Sequence, residues 1–118
     1  MKLALLHDTF AICRLPPDAP LPERFFSATR TRNQLSLVVA SAEVPADALV
    51  EPGWRALEVE GPLEFGLVGI LRTLLDPLAD AKVSVFALST FDTDYVLVKE
   101  TSLATAIAAL RAAGHQVA

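Results

Sequence analysis

The stretch Val83-Ser84-Val85-Phe86-Ala87-Leu88-Ser89-Thr90-Phe91-Asp92-Thr93-Asp94-Tyr95-Val96-Leu97-Val98-Lys99 decides the fold predicted for this chain. Two apolar runs, 83–88 and 95–98, flank a polar segment with two carboxylates and three hydroxyls. Because connections this short join antiparallel neighbours, the pattern predicts a hairpin with Asp92 and Asp94 at one edge of a sheet. We expect a ligand site at this position.

Composition indicates a globular domain without an affinity for polyanions. The 118 residues are 53% hydrophobic, which suffices for one domain or for two very small modules that share a core. A formal net charge of −4 and a pI near 5.0 argue against a nucleic-acid partner and against an anionic membrane surface.

Cysteine usage and apolar run lengths predict a soluble, cytoplasmic protein. Cys13 is the single cysteine, so no internal disulfide can form. The apolar run 3–6 ends at His7, before it reaches signal-peptide length, and is interpreted as a strand. The longest apolar stretch, 66–75, is interrupted by Arg72 and is shorter than the roughly 20 residues of a membrane span.

The first half of the chain predicts a small β-rich module. Residues 3–6 and 10–15 are either two strands or one bent strand, and 35–40 is a strand. The prolines between 16 and 22 predict an irregular connector, after which 23–28 is expected to form a helical turn. This half resembles a compressed copy of the second half.

The second half predicts an α+β, ferredoxin-like domain. A strand begins at Trp54, and a helix with one apolar stripe spans 66–81, with Pro77 expected to bend or loosen its last turns. A second helix follows Thr101 or Ser102 and ends at Gly114, with His115 on the surface and a short edge strand after it. The order β, α, β, β, α, β is that of a split βαβ unit.

The second half also resembles the ACT domain family of regulatory modules. The chain looks like small bacterial ACT proteins with an abbreviated ACT-like half, 1–52, before a full ACT domain, 53–118. It is similar to the ACT regions of aspartate kinases and to the cytosolic arginine sensor of animals. The segments that carry the resemblance are 53–57, 59–63, 65–71, the Ser89-Thr90-Phe91-Asp92-Thr93-Asp94 signature with 95–98, and 110–115.

This resemblance implies a non-catalytic sensor that binds a small molecule, most often an amino acid, at an interface between two such units. It implies a ligand between the loop that enters the first helix and the loop after the following strand. It also implies a homo-oligomer, because one full unit supplies half of the usual interface; the hairpin would work against the N-terminal half or a second copy. The implied site residues are Gly66, Gly69, Ile70, Ser89, Thr90, Phe91, Asp92 and Asp94.

The residue chemistry points to the same place without the family. The N–H groups at a helix start near Gly66 can hold a carboxylate, and Asp92 and Asp94 can hold an ammonium or guanidinium group. The competing interpretation is that Asp92 and Thr93 are turn residues whose side chains bind their own backbone. Two acids without further ligands argue against a metal, and no cofactor motif is present.

The sequence is also compatible with two other function classes. The chain could be an interaction module without a ligand, which acts by oligomerisation or on a partner enzyme, with Phe25, Phe26 and Trp54 as core or interface anchors. An enzyme ranks last, because the sequence shows no nucleophile, base and orienting residue together. His7 and Asp8 do not form a dyad, since neighbours in a strand point to opposite faces.

Overall fold

The computed structural model describes residues 1–61 and 69–118, which form an α+β fold. Within these residues the elements are β1 (Lys2–Leu15), β2 (Ser27–Arg30), β3 (Leu35–Ala40), β4 (Leu49–Val59), α1 (Ile70–Asp80), β5 (Val85–Ser89), β6 (Asp94–Lys99), α2 (Leu103–Ala112) and β7 (Gln116–Val117). Short 3-10 helices lie at Ser41–Glu43 and Glu100–Ser102. The order β, α, β, β, α, β from β4 onward confirms the predicted ferredoxin-like fold.

The chain forms two compact units. Unit 1 comprises Met1–His7 and Arg55–Ala118, and unit 2 comprises Asp8–Trp54. Strands β1 and β4 therefore each contribute residues to both units. The division into an abbreviated half, 1–52, and an ACT domain, 53–118, remains a prediction about family architecture.

In the sheet of unit 1, the first strand of the chain lies between β4 and β7. The Glu60 N–H donates to the Lys2 carbonyl at 2.9 Å, which joins the end of β4 to β1. On the other side of β1, the strand β7 is parallel to it, with Leu3 opposite Val117. Residues 2–7 thus occupy the place beside β4 that the last strand of a ferredoxin-like unit would otherwise take.

The core of unit 1 lies between this sheet and the two helices. Both predicted apolar stripes face it: Leu74 and Leu78 of α1, and Ala106 and Leu110 of α2, are buried. Period-two alternation brings one face of each strand to the same core. The sheet contributes Leu3, Leu57, Val59, Val96, Val98 and Val117.

Helix α1 begins later than its apolar pattern predicts. Gly69 has a left-handed backbone (φ 76°) and is the N-cap, so the predicted helix over 66–81 is not continuous through Gly69, and α1 runs from Ile70. Residues 66–68 lie outside the described residues. Pro77 lies inside the helix and has no N–H for the carbonyl of Thr73, four residues earlier. The His115 Nε2 lies 3.0 Å from that oxygen and donates to it in the Nε2–H tautomer. The His115 side chain, which the sequence predicts only to lie on the surface, thus provides the Thr73 carbonyl with the donor that Pro77 lacks.

Both helices end in a Schellman motif, in which the left-handed position is usually a glycine. Helix α2 has a glycine at that position, and α1 has a lysine. In α2, the N–H groups of Gly114 and His115 donate to Arg111 and Leu110 at 3.0 Å each, with Gly114 at φ 96°. In α1, the N–H groups of Lys82 and Val83 donate to Ala79 and Leu78 at 2.9 Å each. Lys82 occupies the left-handed position, at φ 62°.

We expect Lys82→Gly to raise the free energy of unfolding by about 1 kcal/mol, because a side chain with a Cβ is strained at this φ. Gly114→Ala, the matched change in α2, should lower it by about the same amount. Urea denaturation of the two variants measures both effects. A destabilised Lys82→Gly protein would show that the lysine side chain contributes more than its backbone strain costs.

Unit 2 is a small sheet around β3. Strand β3 pairs antiparallel with β1 on one side and with β2 on the other. Residues 8–15 belong to the single strand β1, which resolves the choice between two strands and one. The residues at its core are Ala11, Cys13, Leu35, Leu37 and Val39.

The helical turn predicted over 23–28 is wrong. The Phe26 N–H donates to the Val38 carbonyl at 2.8 Å, and Ser27 begins β2 opposite the same residue. Pairing with β3 therefore takes the backbone groups that a helical turn would use. Strand β4 likewise starts at Leu49, before the predicted Trp54, and passes through Gly53 in a left-handed conformation (φ 79°).

Candidate functional site

The polar segment forms the predicted hairpin between β5 and β6. Ser89 lies opposite Asp94 as the last pair of the two strands. The Thr90 N–H donates to the Thr93 carbonyl at 2.8 Å, which leaves Phe91 and Asp92 at the tip. Phe91 is 80% exposed. Locally, this short turn between two β-rich runs is what the sequence pattern indicates.

The threonine hydroxyls hold the hairpin in shape and attach it to β4. The Thr90 hydroxyl accepts from the Thr93 N–H at 3.3 Å and lies 3.1 Å from the Thr93 carbonyl, to which it donates. Thr93 is buried, and its own hydroxyl donates to the Val59 carbonyl at 2.6 Å. The hairpin therefore lies beside the end of β4, where the connection to α1 begins.

We expect Thr93→Val to lower the free energy of unfolding by about 1–3 kcal/mol, because it leaves the Val59 carbonyl without its donor in a buried place. Thr90→Val is the matched control: its hydroxyl is on an exposed residue, so water can replace it at smaller cost. Thermal and urea unfolding would compare the two. Equal losses of unfolding free energy in the two variants would mean that the hydrogen bond to Val59 contributes no more to stability than the exposed bonds of Thr90.

Asp94 is partly buried and held by its cross-strand neighbour. The Ser89 hydroxyl donates to Asp94 Oδ1 at 2.6 Å. Because side chains alternate along a strand, Asp94 shares the sheet face of Val96 and Val98, the face that packs on the helices. The carboxylate is thus fixed at the border between the solvent and the helix-covered face of the sheet.

Asp92 has different surroundings. The Tyr95 hydroxyl, on the opposite sheet face from Asp94, donates to Glu58 Oε2 at 2.5 Å. This hydrogen bond, with burial and the negative charges of Glu58 and Asp92, raises the pKa of Tyr95 to about 12. Asp92 is exposed and acts electrostatically on this pair, so the two predicted acids do not form one symmetrical clamp.

The other predicted site residues lie at the start of α1. Gly69 is exposed, and its carbonyl accepts from the Thr73 N–H at 3.1 Å as the first bond of the helix. The N–H groups of the first turn, beginning with Ile70, have no carbonyl within the helix. Gly66 is outside the described residues. The structure joins Ser89 and Asp94 by a hydrogen bond, bonds Thr90 to Thr93 in the adjoining turn, and places Gly69 and Ile70 on a separate element.

Sequence reasoning missed the contributions of Thr93, Glu58 and Tyr95. Their contacts join the hairpin and β6 to β4, and the register between strands distant in sequence cannot be read from a local pattern. Within residues 1–61 and 69–118, no three His, Cys, Asp or Glu side chains are grouped as a metal site would require. Among the same residues, no helix has the length and apolarity to cross a membrane.

Comparisons with known proteins agree with this architecture. A profile of the ACT domain family matches residues 49–112. The cytosolic arginine sensor for mTORC1 subunit 1 from Bos taurus is 35% identical over 95 residues, which cover 71% of this chain and 29% of that protein. The chain therefore corresponds to less than a third of this relative.

Solved structures show the same fold. A structural-genomics crystal structure of a protein from Agrobacterium tumefaciens matches with a TM-score of 0.91 and 34% identity, over 99% of this chain and 91% of that one. The ligand-free regulatory subunit of aspartate kinase from Thermus thermophilus matches with a TM-score of 0.66 and 12% identity, over 95% and 96% of the two chains. The second similarity concerns the fold alone. Since the profile match covers more than half of the chain and includes β4, the hairpin and both helices, this protein belongs to the ACT domain family.

Proposed function

We propose that this chain is a non-catalytic regulatory module that binds a free amino acid beside the β5–β6 hairpin. The observation that carries the proposal is Asp94: a partly buried carboxylate, oriented by Ser89, on a hairpin that Thr93 attaches to the end of β4. A carboxylate fixed in this way is suited to an ammonium or guanidinium group.

The start of α1 supplies the complementary chemistry. Its first-turn N–H groups and the positive end of the helix dipole favour a carboxylate. Thr93 is bonded to the end of β4, and in the sequence α1 is the next described element after that strand. One charge of each sign is what an amino-acid zwitterion requires. A relative named as a cytosolic arginine sensor supports this ligand class.

We propose further that the protein acts in the cytoplasm as a homo-oligomer, without nucleic-acid or membrane partners and without a cofactor. The ring of Phe91 is 80% exposed at the hairpin tip, next to the proposed site. A second subunit that covered this ring would also shield the ligand from water. The proposal includes no chemical step, because the groups around Asp94 are arranged to hold charge rather than to transfer a proton or a group.

Isothermal titration calorimetry against each proteinogenic amino acid tests the proposal. We expect at least one to bind, and its N-acetyl and C-terminal amide derivatives to bind more weakly, because each removes one charge of the zwitterion. Light scattering with and without the amino acid would show whether binding changes the oligomeric state. No binding by any amino acid at millimolar concentration would contradict the proposal.

The second candidate is an interaction module without a ligand, and the exposed Phe91 is the observation that favours it. In that case the chain should self-associate, and no amino acid should alter its thermal unfolding. Phe91→Ser should then abolish self-association. Calorimetric binding that survives in a monomeric Phe91→Ser protein would instead favour the sensor.

A further inference from the structure

We propose a second ligand site, within unit 2, for a small organic cation such as a primary alkyl amine. The site is a cavity of about 230 Å³ lined by Asp8, Phe10, Arg24, Phe25, Phe26, Ala40 and Glu43. All seven residues belong to the compact unit Asp8–Trp54, whereas the β5–β6 hairpin belongs to unit 1. The proposal is therefore independent of amino-acid binding at the hairpin.

Aromatic rings form the apolar wall of this cavity. Phe10, on β1, is buried, and its ring centroid lies 4.9 Å from that of Phe26, with 52° between the ring planes. Phe26 is held in place by its backbone bond to Val38, and Phe25 is 45% exposed at the rim. The faces of aromatic rings carry negative partial charge, so they attract an organic cation whose alkyl chain also covers apolar surface.

The charged side chains around the cavity leave one negative charge in excess. Arg24 Nη1 lies 3.8 Å from Glu43 Oε1, so these two charges largely compensate each other. Asp8 also lines the cavity and makes no ion pair with any residue in the described part of the chain. An excess carboxylate beside aromatic rings favours a cation over a neutral molecule and over an anion.

Size and exposure limit the ligand and its affinity. Cavities that hold drug-sized molecules usually measure about 300–1,000 Å³, so this one suits a smaller molecule. The Arg24 side chain is 78% exposed, and its ion pair with Glu43 is accordingly screened by water. We therefore expect weak binding, with dissociation constants in the millimolar range. The charge and the chain length of the ligand should determine which molecules bind.

Nuclear magnetic resonance titration of the ¹⁵N-labelled full chain tests this site with n-pentylamine as the probe. The uncharged control is n-pentanol and the anionic control is pentanoate, both of matched length. The amine should shift the amides of Phe26, Ala40 and Glu43 in a saturable way. Its affinity should exceed that of the alcohol by about ten-fold, and pentanoate should bind more weakly still.

Three variants assign the effect to individual side chains. Asp8→Asn should lower the affinity for the amine to that for the alcohol. Phe25→Leu should lower the affinity for the amine several-fold. Asp18→Asn, at an exposed aspartate of the same unit that does not line the cavity, should change nothing. The ¹⁵N spectrum of each variant shows whether its fold is intact.

Three results would overturn the proposal. One is equal binding of amine and alcohol to the unmodified protein. Another is an equal loss of amine binding in Asp8→Asn and Asp18→Asn, which would indicate general charge attraction. The third is saturable amine shifts at 89–94 without shifts at Phe26, which would assign the cation to the hairpin.

Discussion

Leu3→Ala is expected to lower the free energy of unfolding by about 3 kcal/mol, within the range measured when a buried leucine is replaced by alanine. Leu3 is 1% exposed and packs in the core of unit 1, although it lies at the opposite end of the chain from most of that core. Lys2→Ala is the matched control on the same strand, since the Lys2 side chain is exposed and only its backbone pairs with Glu60. It should change the unfolding free energy by less than about 0.5 kcal/mol. Urea denaturation measures both, and equal effects would mean that β1 contributes backbone pairing but no core packing.

Because residues 2–7 of β1 complete the sheet of unit 1, we expect that a fragment of residues 53–118 will not fold. This fragment lacks residues 2–7, so β7 loses its neighbour and the end of β4 loses its bond to Lys2. Backbone groups left without partners, together with the loss of Leu3 from the core, remove much of the small margin of stability of a domain. Circular dichroism and the dispersion of amide resonances would test it. A fragment with a native-like spectrum would show instead that the division at residue 53 marks an autonomous ACT domain.

Asp94→Asn is expected to weaken binding of the amino-acid ligand by about 30-fold or more, which corresponds to roughly 2 kcal/mol. The substitution keeps a side chain of the same size that can still bond to Ser89, but it removes the charge that the ligand's cationic group would contact. Asp80→Asn, at an exposed aspartate at the end of α1, is the control for net charge. Calorimetry compares the affinities of the three proteins.

Asp92→Asn separates the two acids of the hairpin. Asp92 is exposed at the tip and acts on Tyr95, so its charge is screened by water and its loss should cost only a few-fold in affinity. An unchanged affinity in Asp94→Asn, or a larger loss in Asp92→Asn, would remove Asp94 from the centre of the proposed site.

Local patterns predicted the elements that need only their own residues. The hairpin follows from two β-rich runs around a short polar segment, and the buried faces of both helices follow from apolar spacing of three and four. The end of α2 follows from Gly114, whose left-handed φ a side chain with a Cβ seldom adopts. The ACT resemblance, which the family profile confirms, rests on the same local segments.

The failures occurred where a distant partner decided the outcome. Residues 23–28 have an acceptable helical pattern, but pairing of Phe26 with Val38 places them beside β3. The start of α1 moved to Ile70 because Gly69 takes a left-handed conformation that apolar spacing does not reveal. No sequence pattern indicated that His115, expected on the surface, would bond to the Thr73 carbonyl, for which Pro77 has no N–H.

The sequence by itself determined the class of the fold, the hairpin with its two acids, and the family. Each depends on residue types and spacings within a short segment, where propensity and periodicity act. The tertiary structure alone decided that β1 lies between β4 and β7, that Thr93 is bonded to Val59, and that Asp92 and Asp94 have different surroundings. The physical reason is that strand order and register depend on pairing between segments far apart in the chain, which no local pattern encodes.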